Sequence, residues 1–267
     1  MTQPPNYVHR LSARELSDRY VGVVLDLDGV CYLGGVEIPG VSASVKRLRD
    51  AGIEVRFVTN NSTRTPDDVV VTLQSVGIEA RREDVITSSM AAAALLPPGT
   101  RCLAIGMEGL RTALAERGCP VTEDPADAQA VVVGMDTDLT WEKLCRATLA
   151  LDRGACFIGT NADVSFPSAE GLWPGNGAIL AALTAATGIE PEVAAKPHAP
   201  LFEQAASTVP EGRLLMVGDR LDTDIHGAQR LGWDTLLVLS GIADGPSAAA
   251  ADPPPTYVSE SLAVIGP

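Results

Sequence analysis

The sequence lacks several features that would place it in other classes of protein. Its 267 residues include 20 Lys and Arg against 34 Asp and Glu, and the net charge of −14 leaves no basic surface for a nucleic acid backbone. No apolar run approaches the ~18 residues of a membrane-spanning helix, and the first residues lack a basic-then-apolar signal pattern. We therefore expect neither nucleic acid nor a membrane as a partner.

Cysteines and aromatic residues are also few. The five cysteines are odd in number and have no C-x-x-C spacing, which favours reduced thiols and a cytoplasmic protein. Aromatic residues make up 4% of the chain, so its core is expected to be aliphatic. A length of 267 residues is long for one compact core and favours one domain with a sizeable insert.

The first chemical signal is an apolar run that ends in two carboxylates. Residues 21–25 lack polar alternation, which predicts a central parallel strand buried on both faces. Side chains alternate along a strand, so Asp26 and Asp28 leave its end on one side, where Gly29 allows a sharp turn. Such a pair at the carboxyl end of a parallel strand favours a divalent cation. By itself the pattern fits a polar strand end with an Asx turn about equally well.

Strand and helix patterns alternate along most of the chain. Further strands are predicted at 54–58, 214–217 and 235–239, with an edge strand at 257–258, and helices begin near residues 39, 66, 179, 200 and 222. Residues 85–177 repeat the alternation, with strands at 101–105, 130–133 and 155–158 and helices at 108–117 and 141–152. Residues 248–255 are expected to form a linker. The pattern predicts an α/β fold, a Rossmann-like three-layer parallel-sheet core with a smaller inserted α/β domain.

Two further segments carry groups suited to an anion. Thr59, Asn60 and Asn61 follow a predicted strand and could cradle a phosphate oxygen, although a helix cap with turn asparagines explains them more simply. Lys196 precedes Pro197 in a turn and could place a positive charge on a phosphate, whereas a loop lysine is more often solvated surface. His198 is not expected to contact substrate, because Asp28 can serve as the acid or base.

A second apolar strand also ends in carboxylates. Residues 214–217 lead into Gly218 and Asp219, and Asp219 at the strand tip could complete an oxygen shell with Asp26. Asp224 could brace that shell from outside. Asp222 and Thr223 are expected to cap the following helix.

In order, these four motifs resemble those of the haloacid dehalogenase superfamily of phosphohydrolases. The resemblance rests on Asp26-Leu27-Asp28-Gly29-Val30, Thr59-Asn60-Asn61, Lys196-Pro197 and Gly218-Asp219 through Asp224. The insert between the second and third motifs is similar to that of the NagD-like subclass, which carries an α/β cap there. The fourth motif is similar to that of glycerol-3-phosphate, phosphoglycolate and pyridoxal phosphatases. The resemblance implies a catalytic core of residues 1–84 and 178–267 and a cap of residues 85–177 that determines substrate specificity.

The resemblance also implies roles for individual residues. Asp26 would attack phosphorus to form an aspartyl-phosphate, and Asp28 would protonate the leaving alkoxide and then activate water. Mg²⁺ would be held by Asp26, Asp219 and the backbone carbonyl of Asp28. The phosphate contacts implied are Gly29, Thr59, Asn60 and Lys196, with Asp224 and Asn61 supporting the site from outside.

The expected substrate is a small phosphomonoester. Asn161 and Asp163 follow a predicted cap strand and could bind the hydroxyls of a leaving group, although turn capping explains them about as well. From the family resemblance, glycerol 3-phosphate is the first choice. The alternatives are phosphoglycolate, pyridoxal phosphate and nucleotide or sugar phosphates. The resemblance also implies a homodimer formed through the cap.

Three functions are compatible with such a core. The first is a Mg²⁺-dependent phosphatase. The second is a dehalogenase, which would use Asp26 but has no need of Asp28 as an acid or of Asp219 to complete a metal site. The third is a non-catalytic binding protein of the same fold, which the retention of all four motifs disfavours. Release of phosphate that requires Mg²⁺ would distinguish the first function from the other two.

Overall fold

The structure is a computed structural model that describes residues 4, 6–168 and 170–267. Its strands are β1 Leu11–Ser12, β2 Gly22–Leu25, β3 Tyr32–Leu33, β4 Val36–Glu37, β5 Glu54–Thr59, β6 Val85–Thr87, β7 Cys102–Ile105, β8 Ala130–Val133, β9 Cys156–Gly159, β10 Ser165–Ser168, β11 Gly171–Pro174, β12 Glu192–Val193, β13 Leu214–Gly218, β14 Asp234–Val238, β15 Tyr257–Ser259 and β16 Ile265–Gly266. Its α-helices are α1 Ala13–Ser17, α2 Val41–Asp50, α3 Pro66–Ser75, α4 Ser88–Ala94, α5 Glu108–Glu116, α6 Trp141–Asp152, α7 Asn176–Thr187, α8 Ala199–Ser207, α9 His226–Arg230 and α10 Gly245–Ala250. A π-helical turn, Leu221–Ile225, precedes α9.

The main sheet has six strands in the order β15-β14-β13-β2-β5-β6. Strand β2 pairs in parallel with β13 on one side and with β5 on the other. The chain runs outward from β2 to β5 in one direction and from β13 to β14 in the other. The order therefore reverses between β2 and β13, and open α/β sheets bind ligands at the carboxyl ends of the strands at such a point.

Helices cover both faces of this sheet because alternate strand residues are apolar on each side. Leu25 and Phe57 are fully buried in one cluster with Leu48 of α2. On the other face Leu237 packs in a second cluster with Ala248 of α10. The predicted three-layer α/β core is thereby confirmed.

The chain divides into two compact units. The first comprises the described residues up to Thr59 together with Asp67–Ile86 and Lys196–Pro267, and the second comprises Asn60–Pro66 and Thr87–Ala195. The second unit contains a four-stranded sheet in the order β12-β9-β8-β7, in which each neighbouring pair is parallel. A smaller inserted α/β domain is therefore present, as predicted.

The return to the first unit lies later than residue 178, where the sequence pattern placed it. Helix α7 buries Leu180 and Leu183 in the core of the second unit, against Val131 and Leu151. Strand β12 then adds to the edge of the smaller sheet, and the first unit resumes at Lys196.

Several elements were not predicted. Strand β6 and helix α4 precede the predicted insert strands, and β10 and β11 form an antiparallel hairpin. Helix α10 occupies the start of the predicted 248–255 linker, where Asp244 and Ser247 form a capping box. In the described part of the chain, no helix combines the length and hydropathy needed to cross a membrane.

Candidate active site

The two acidic strand ends of the first unit are neighbours. Leu25 pairs with Val217 in adjacent parallel strands, so Asp26 and Asp219 follow from the same edge of the sheet. The backbone N–H of Asp26 donates to the carbonyl of Val217 at 2.9 Å and carries the pairing one residue beyond β2. The order reversal between β2 and β13 thus brings the first and fourth motifs together.

Three carboxylates form a compact cluster at this edge. One carboxylate oxygen from each of Asp26, Asp219 and Asp224 lies within 4.8 Å of the others. Asp219 and Asp224 are buried, and Asp26 is partly exposed. Hard divalent cations prefer such oxygen donors, so the residues fit a metal of that class. Asp224, expected as an outer brace, contributes to the cluster itself.

Lys196 lies within this acidic cluster and is 4% exposed, which excludes the alternative of a solvated surface lysine. Its Nζ is 2.7 Å from Asp26 Oδ1 and 2.7 Å from Asp224 Oδ1. Burial lowers the pKa of the ammonium, but the carboxylates of Asp224 and Asp26 outweigh it and hold the pKa well above its usual value. Lys196 is therefore a fixed positive charge beside Asp26.

Asp219 is held by backbone groups. Its Oδ2 accepts a hydrogen bond from the Ile242 N–H at 2.8 Å. Burial and the nearby Asp26 carboxylate raise the pKa of Asp219 to about 6, although the Ile242 N–H and Lys196 oppose the shift. Its ionised form therefore depends on nearby positive charge.

Asp28 and Gly29 form the turn after β2. Asp28 is exposed, whereas Gly29 is buried with a φ of 82° that a glycine adopts readily. Gly29 is one of the residues expected to contact phosphate. Its backbone N–H donates to the Tyr32 carbonyl at 2.8 Å and closes the turn, and its contact with phosphate stays a prediction.

The second motif spans the boundary between the two units. Thr59 ends β5 in the first unit and is buried. Asn61, in the second unit, accepts hydrogen bonds at Oδ1 from the backbone N–H and the hydroxyl of Thr63. Asn61 therefore adopts the turn arrangement that was the simpler reading of this motif.

Within the second unit, Asn161 and Asp163 contact Asn60. The Nδ2 of Asn161 donates to the Asn60 carbonyl at 2.8 Å, and the Ser88 hydroxyl donates to the same oxygen at 2.7 Å. Asn60 Nδ2 lies 3.4 Å from Asp163 Oδ2. The Oδ1 of Asn161 accepts from the Asp163 N–H, so Asn161 also makes the turn contact that was the alternative interpretation of this pair.

The remaining candidates have local roles. His198 is exposed and immediately precedes helix α8, and partial burial, with a smaller effect of Arg230, lowers the pKa of its imidazole. The prediction that Asp222 caps the next helix is wrong. Its carboxylate instead accepts from the Arg220 guanidinium at 3.0 Å, and Arg220 is the residue before the π-helical turn.

A further segment at this edge was missed by the sequence pattern. Residues 240–243 follow β14 and contact both Gly29 and Asp219. The signal was a serine and a glycine shortly after an apolar strand, the same kind of strand end that identified the other motifs. Residues 240–243 contain no carboxylate, so the pattern did not identify them as part of a metal or phosphate site.

Comparison with known families gives two matches along the chain. Residues 23–120 match a family described as haloacid dehalogenase-like hydrolase. Residues 193–265 match a second family of HAD-hydrolase-like proteins. The two matches include Asp26, Thr59, Lys196 and Asp219.

Individual relatives align over nearly the full length. An acid sugar phosphatase of Staphylococcus aureus is 38% identical over 249 residues, 91% of this chain and 96% of the relative. The glycerol phosphate phosphatase Rv1692 of Mycobacterium tuberculosis, solved in complex with magnesium, is 36% identical with a TM-score of 0.87, covering 96% of this chain and 79% of that one. NagD of Escherichia coli is 26% identical with a TM-score of 0.86, over 93% of this chain and 99% of that one.

Proposed function

Since this chain belongs to the haloacid dehalogenase-like hydrolase family, we propose that it is a Mg²⁺-dependent phosphomonoesterase that uses Asp26 as its nucleophile. It is a phosphatase of small phosphorylated metabolites. The observation that carries the mechanism is the position of Lys196, 2.7 Å from Asp26 in a cluster with Asp219 and Asp224. A carboxylate that attacks a phosphate dianion needs compensating positive charge, and this edge of the sheet supplies it.

Two displacements account for the reaction. The carboxylate of Asp26 attacks phosphorus as the bond from phosphorus to the alcohol oxygen breaks, and Asp28 donates its proton to the leaving alkoxide. Asp28 then accepts a proton from the water that attacks the aspartyl-phosphate. The bond from phosphorus to Asp26 breaks, and inorganic phosphate leaves. The exposed position of Asp28 suits this exchange with alcohol and water.

The metal and phosphate contacts follow from the same residues. Asp26, Asp219 and the backbone carbonyl of Asp28 would hold Mg²⁺, with Asp224 as a further carboxylate of the cluster. When bound, the ion neutralises charge between the nucleophile and the phosphate. Thr59, the Asn60 backbone and Lys196 would bind the phosphate oxygens.

We propose glycerol 3-phosphate as the preferred substrate, and a relative that is a glycerol phosphate phosphatase supports this choice. Phosphorylated sugars are the second candidate, supported by a relative that is an acid sugar phosphatase. Phosphoglycolate, pyridoxal phosphate and nucleotides follow. The second unit, as the cap, would select among them by contacting the leaving group.

The test is phosphate release from a panel of these esters with Mg²⁺ or with excess chelator. We expect turnover only with Mg²⁺, and a loss of at least about 10³-fold in Asp26→Asn, because the amide is not nucleophilic. The matched control is Asp50→Asn, in an exposed pair with Lys46, which should retain full activity. Turnover by Asp26→Asn would refute the mechanism. A preference for hexose phosphates would show that glycerol 3-phosphate is not the preferred substrate.

We also propose a homodimer formed through the second unit. On α6, Trp141 and Leu149 are 79% and 49% exposed, with exposed Cys145 midway between them, and a four-residue spacing places them on one face. Light scattering after size exclusion should give twice the chain mass of 27.8 kDa. Trp141→Lys should give the monomer. A wild-type protein with the mass of one chain would contradict the proposal.

A further inference from the structure

Residues 240–243, which we term the anchoring loop, connect two parts of the candidate active site. The Ser240 hydroxyl donates to the Gly29 carbonyl at 2.6 Å. The Ile242 N–H donates to Asp219 Oδ2 at 2.8 Å, and the Ala243 N–H donates to the Asp219 carbonyl at 2.9 Å. The turn that carries Asp28 and the strand end that carries Asp219 are therefore both hydrogen-bonded to the anchoring loop.

Packing restricts this arrangement further. A Cβ atom at Gly241 would overlap the Asp219 carboxylate, and so would a Cβ atom at Gly29. Gly241 does not have a positive φ, so the space beside Asp219, and not the backbone conformation, requires a glycine there. The carboxylate of Asp219 is thus closely approached by two glycine residues and accepts a hydrogen bond from the Ile242 N–H.

We propose that the anchoring loop is a positioning element that sets the acid-bearing turn and the Asp219 carboxylate relative to one another. This proposal rests on the proposed function. Gly29 directly follows Asp28, so a hydrogen bond to the Gly29 carbonyl restricts the backbone position of Asp28 and with it the reach of the Asp28 carboxylate. Groups that orient metal-binding carboxylates typically change affinity or activity by 10–100-fold when they are removed. None of the loop's side chains needs to touch substrate for such an effect.

The first test removes the Ser240 hydroxyl. Ser240→Ala should lower kcat by about tenfold, with less than about twofold change in KM, because positioning of Asp28 affects the chemical step and leaves phosphate binding unchanged. Ser240→Thr retains a hydroxyl and should restore kcat to within about threefold. The matched control is Ser207→Ala, whose exposed hydroxyl bonds only a local helix carbonyl and which should match the wild type.

The second test inserts a methyl group beside Asp219. Gly241→Ala should raise the Mg²⁺ concentration for half-maximal activity by at least about tenfold and abolish the rise in melting temperature that Mg²⁺ produces without substrate. Gly245→Ala is the control, because a Cβ atom there meets open space. Circular dichroism of each variant checks folding, and the Ser240 pair still tests the proposal if Gly241→Ala does not fold.

The outcomes separate this proposal from the proposed function. A wild-type protein with no Mg²⁺-dependent phosphatase activity would refute the proposed function. An active wild type with Ser240→Ala and Gly241→Ala both unchanged would refute only the positioning role. A uniform loss of melting temperature, with kcat, KM and the Mg²⁺ response unaltered, would assign the loop to fold stability alone.

Discussion

Lys196 is the residue whose environment differs most from what a loop position suggests. Its ammonium is buried between two carboxylates, and their attraction offsets the cost of removing the charge from water. The sequence could indicate the residue only through the motif that contains it. Its burial depends on strand order, which brings residues 26, 196 and 224 together from distant parts of the chain.

Removal of this ammonium should destabilise the metal-free protein. Lys196→Met keeps the side-chain length but leaves the buried Asp224 carboxylate without its ammonium partner, which costs about 3 kcal/mol in comparable cases. We expect that decrease in the free energy of unfolding, measured by urea titration in chelator. Lys46→Met, in an exposed pair with Asp50, should change it by less than about 1 kcal/mol. Equal stability of the two variants would contradict the buried pairing.

Asn161 offers a second prediction at the residue scale. Its amide donates to the Asn60 carbonyl, and we proposed that the Asn60 backbone binds phosphate. Asn161→Ala should therefore lower kcat/KM by about tenfold for every substrate by loosening that backbone. The control is Asn6→Ala, which loses a hydrogen bond from its side-chain amide to the Pro255 carbonyl and should retain activity. A loss confined to one substrate would instead indicate direct contact between Asn161 and the leaving group.

At the scale of elements, the apolar strands could be predicted because buried parallel strands are continuous apolar runs. The strand at 130–133 and the helix at 141–152 occur at the predicted bounds. Helix α7 was predicted from the sequence. Its apolar periodicity indicates that one face is buried, but it does not indicate which unit that face packs against. The return point was therefore placed at 178 instead of 196.

The hairpin of β10 and β11 was missed for a different reason. Its strands contain Pro167 and Pro174, and its aromatic residues carry no alternating pattern that distinguishes a strand from a loop. Phe166 and Trp173 are directly opposite, with ring centroids 6.2 Å apart in an edge-to-face arrangement. An isolated two-stranded hairpin is marginally stable, so this contact should matter to it.

Loss of the aromatic pair should open the hairpin alone. Trp173→Ala removes a contact worth about 1 kcal/mol, which is comparable to the stability of such an element. Hydrogen exchange with mass spectrometry should show faster exchange in residues 165–174 and little change in β7, β8 and β9. Val71→Ala, at a 66% exposed residue of the first unit, is the control. Unchanged exchange in the hairpin would show that other contacts hold it.

At the scale of the whole molecule, the metal site links global stability to pH. The folded-state pKa of Asp219 is raised from an ordinary value of 3.8 to about 6, first by burial and then by Asp26. A raised carboxyl pKa contributes stability that is present below about pH 4 and is lost as the pH rises through about 6. A divalent cation binds the ionised carboxylate, so it should restore stability in the range where the proton is lost.

We therefore expect Mg²⁺ to raise the melting temperature little at pH 5 and by roughly 5–10 °C at pH 8, if its concentration is about 100 times its dissociation constant. Differential scanning fluorimetry with Mg²⁺ or with sodium at matched ionic strength would measure the difference. Asp219→Asn cannot ionise and should reduce the pH-dependent part of the shift. The part that remains would come from Asp224, because burial raises the pKa of its carboxyl to about 7. The same Mg²⁺ effect at pH 5 and pH 8, or an unreduced pH dependence in Asp219→Asn, would contradict the prediction, because proton release from Asp219 would then not limit cation binding.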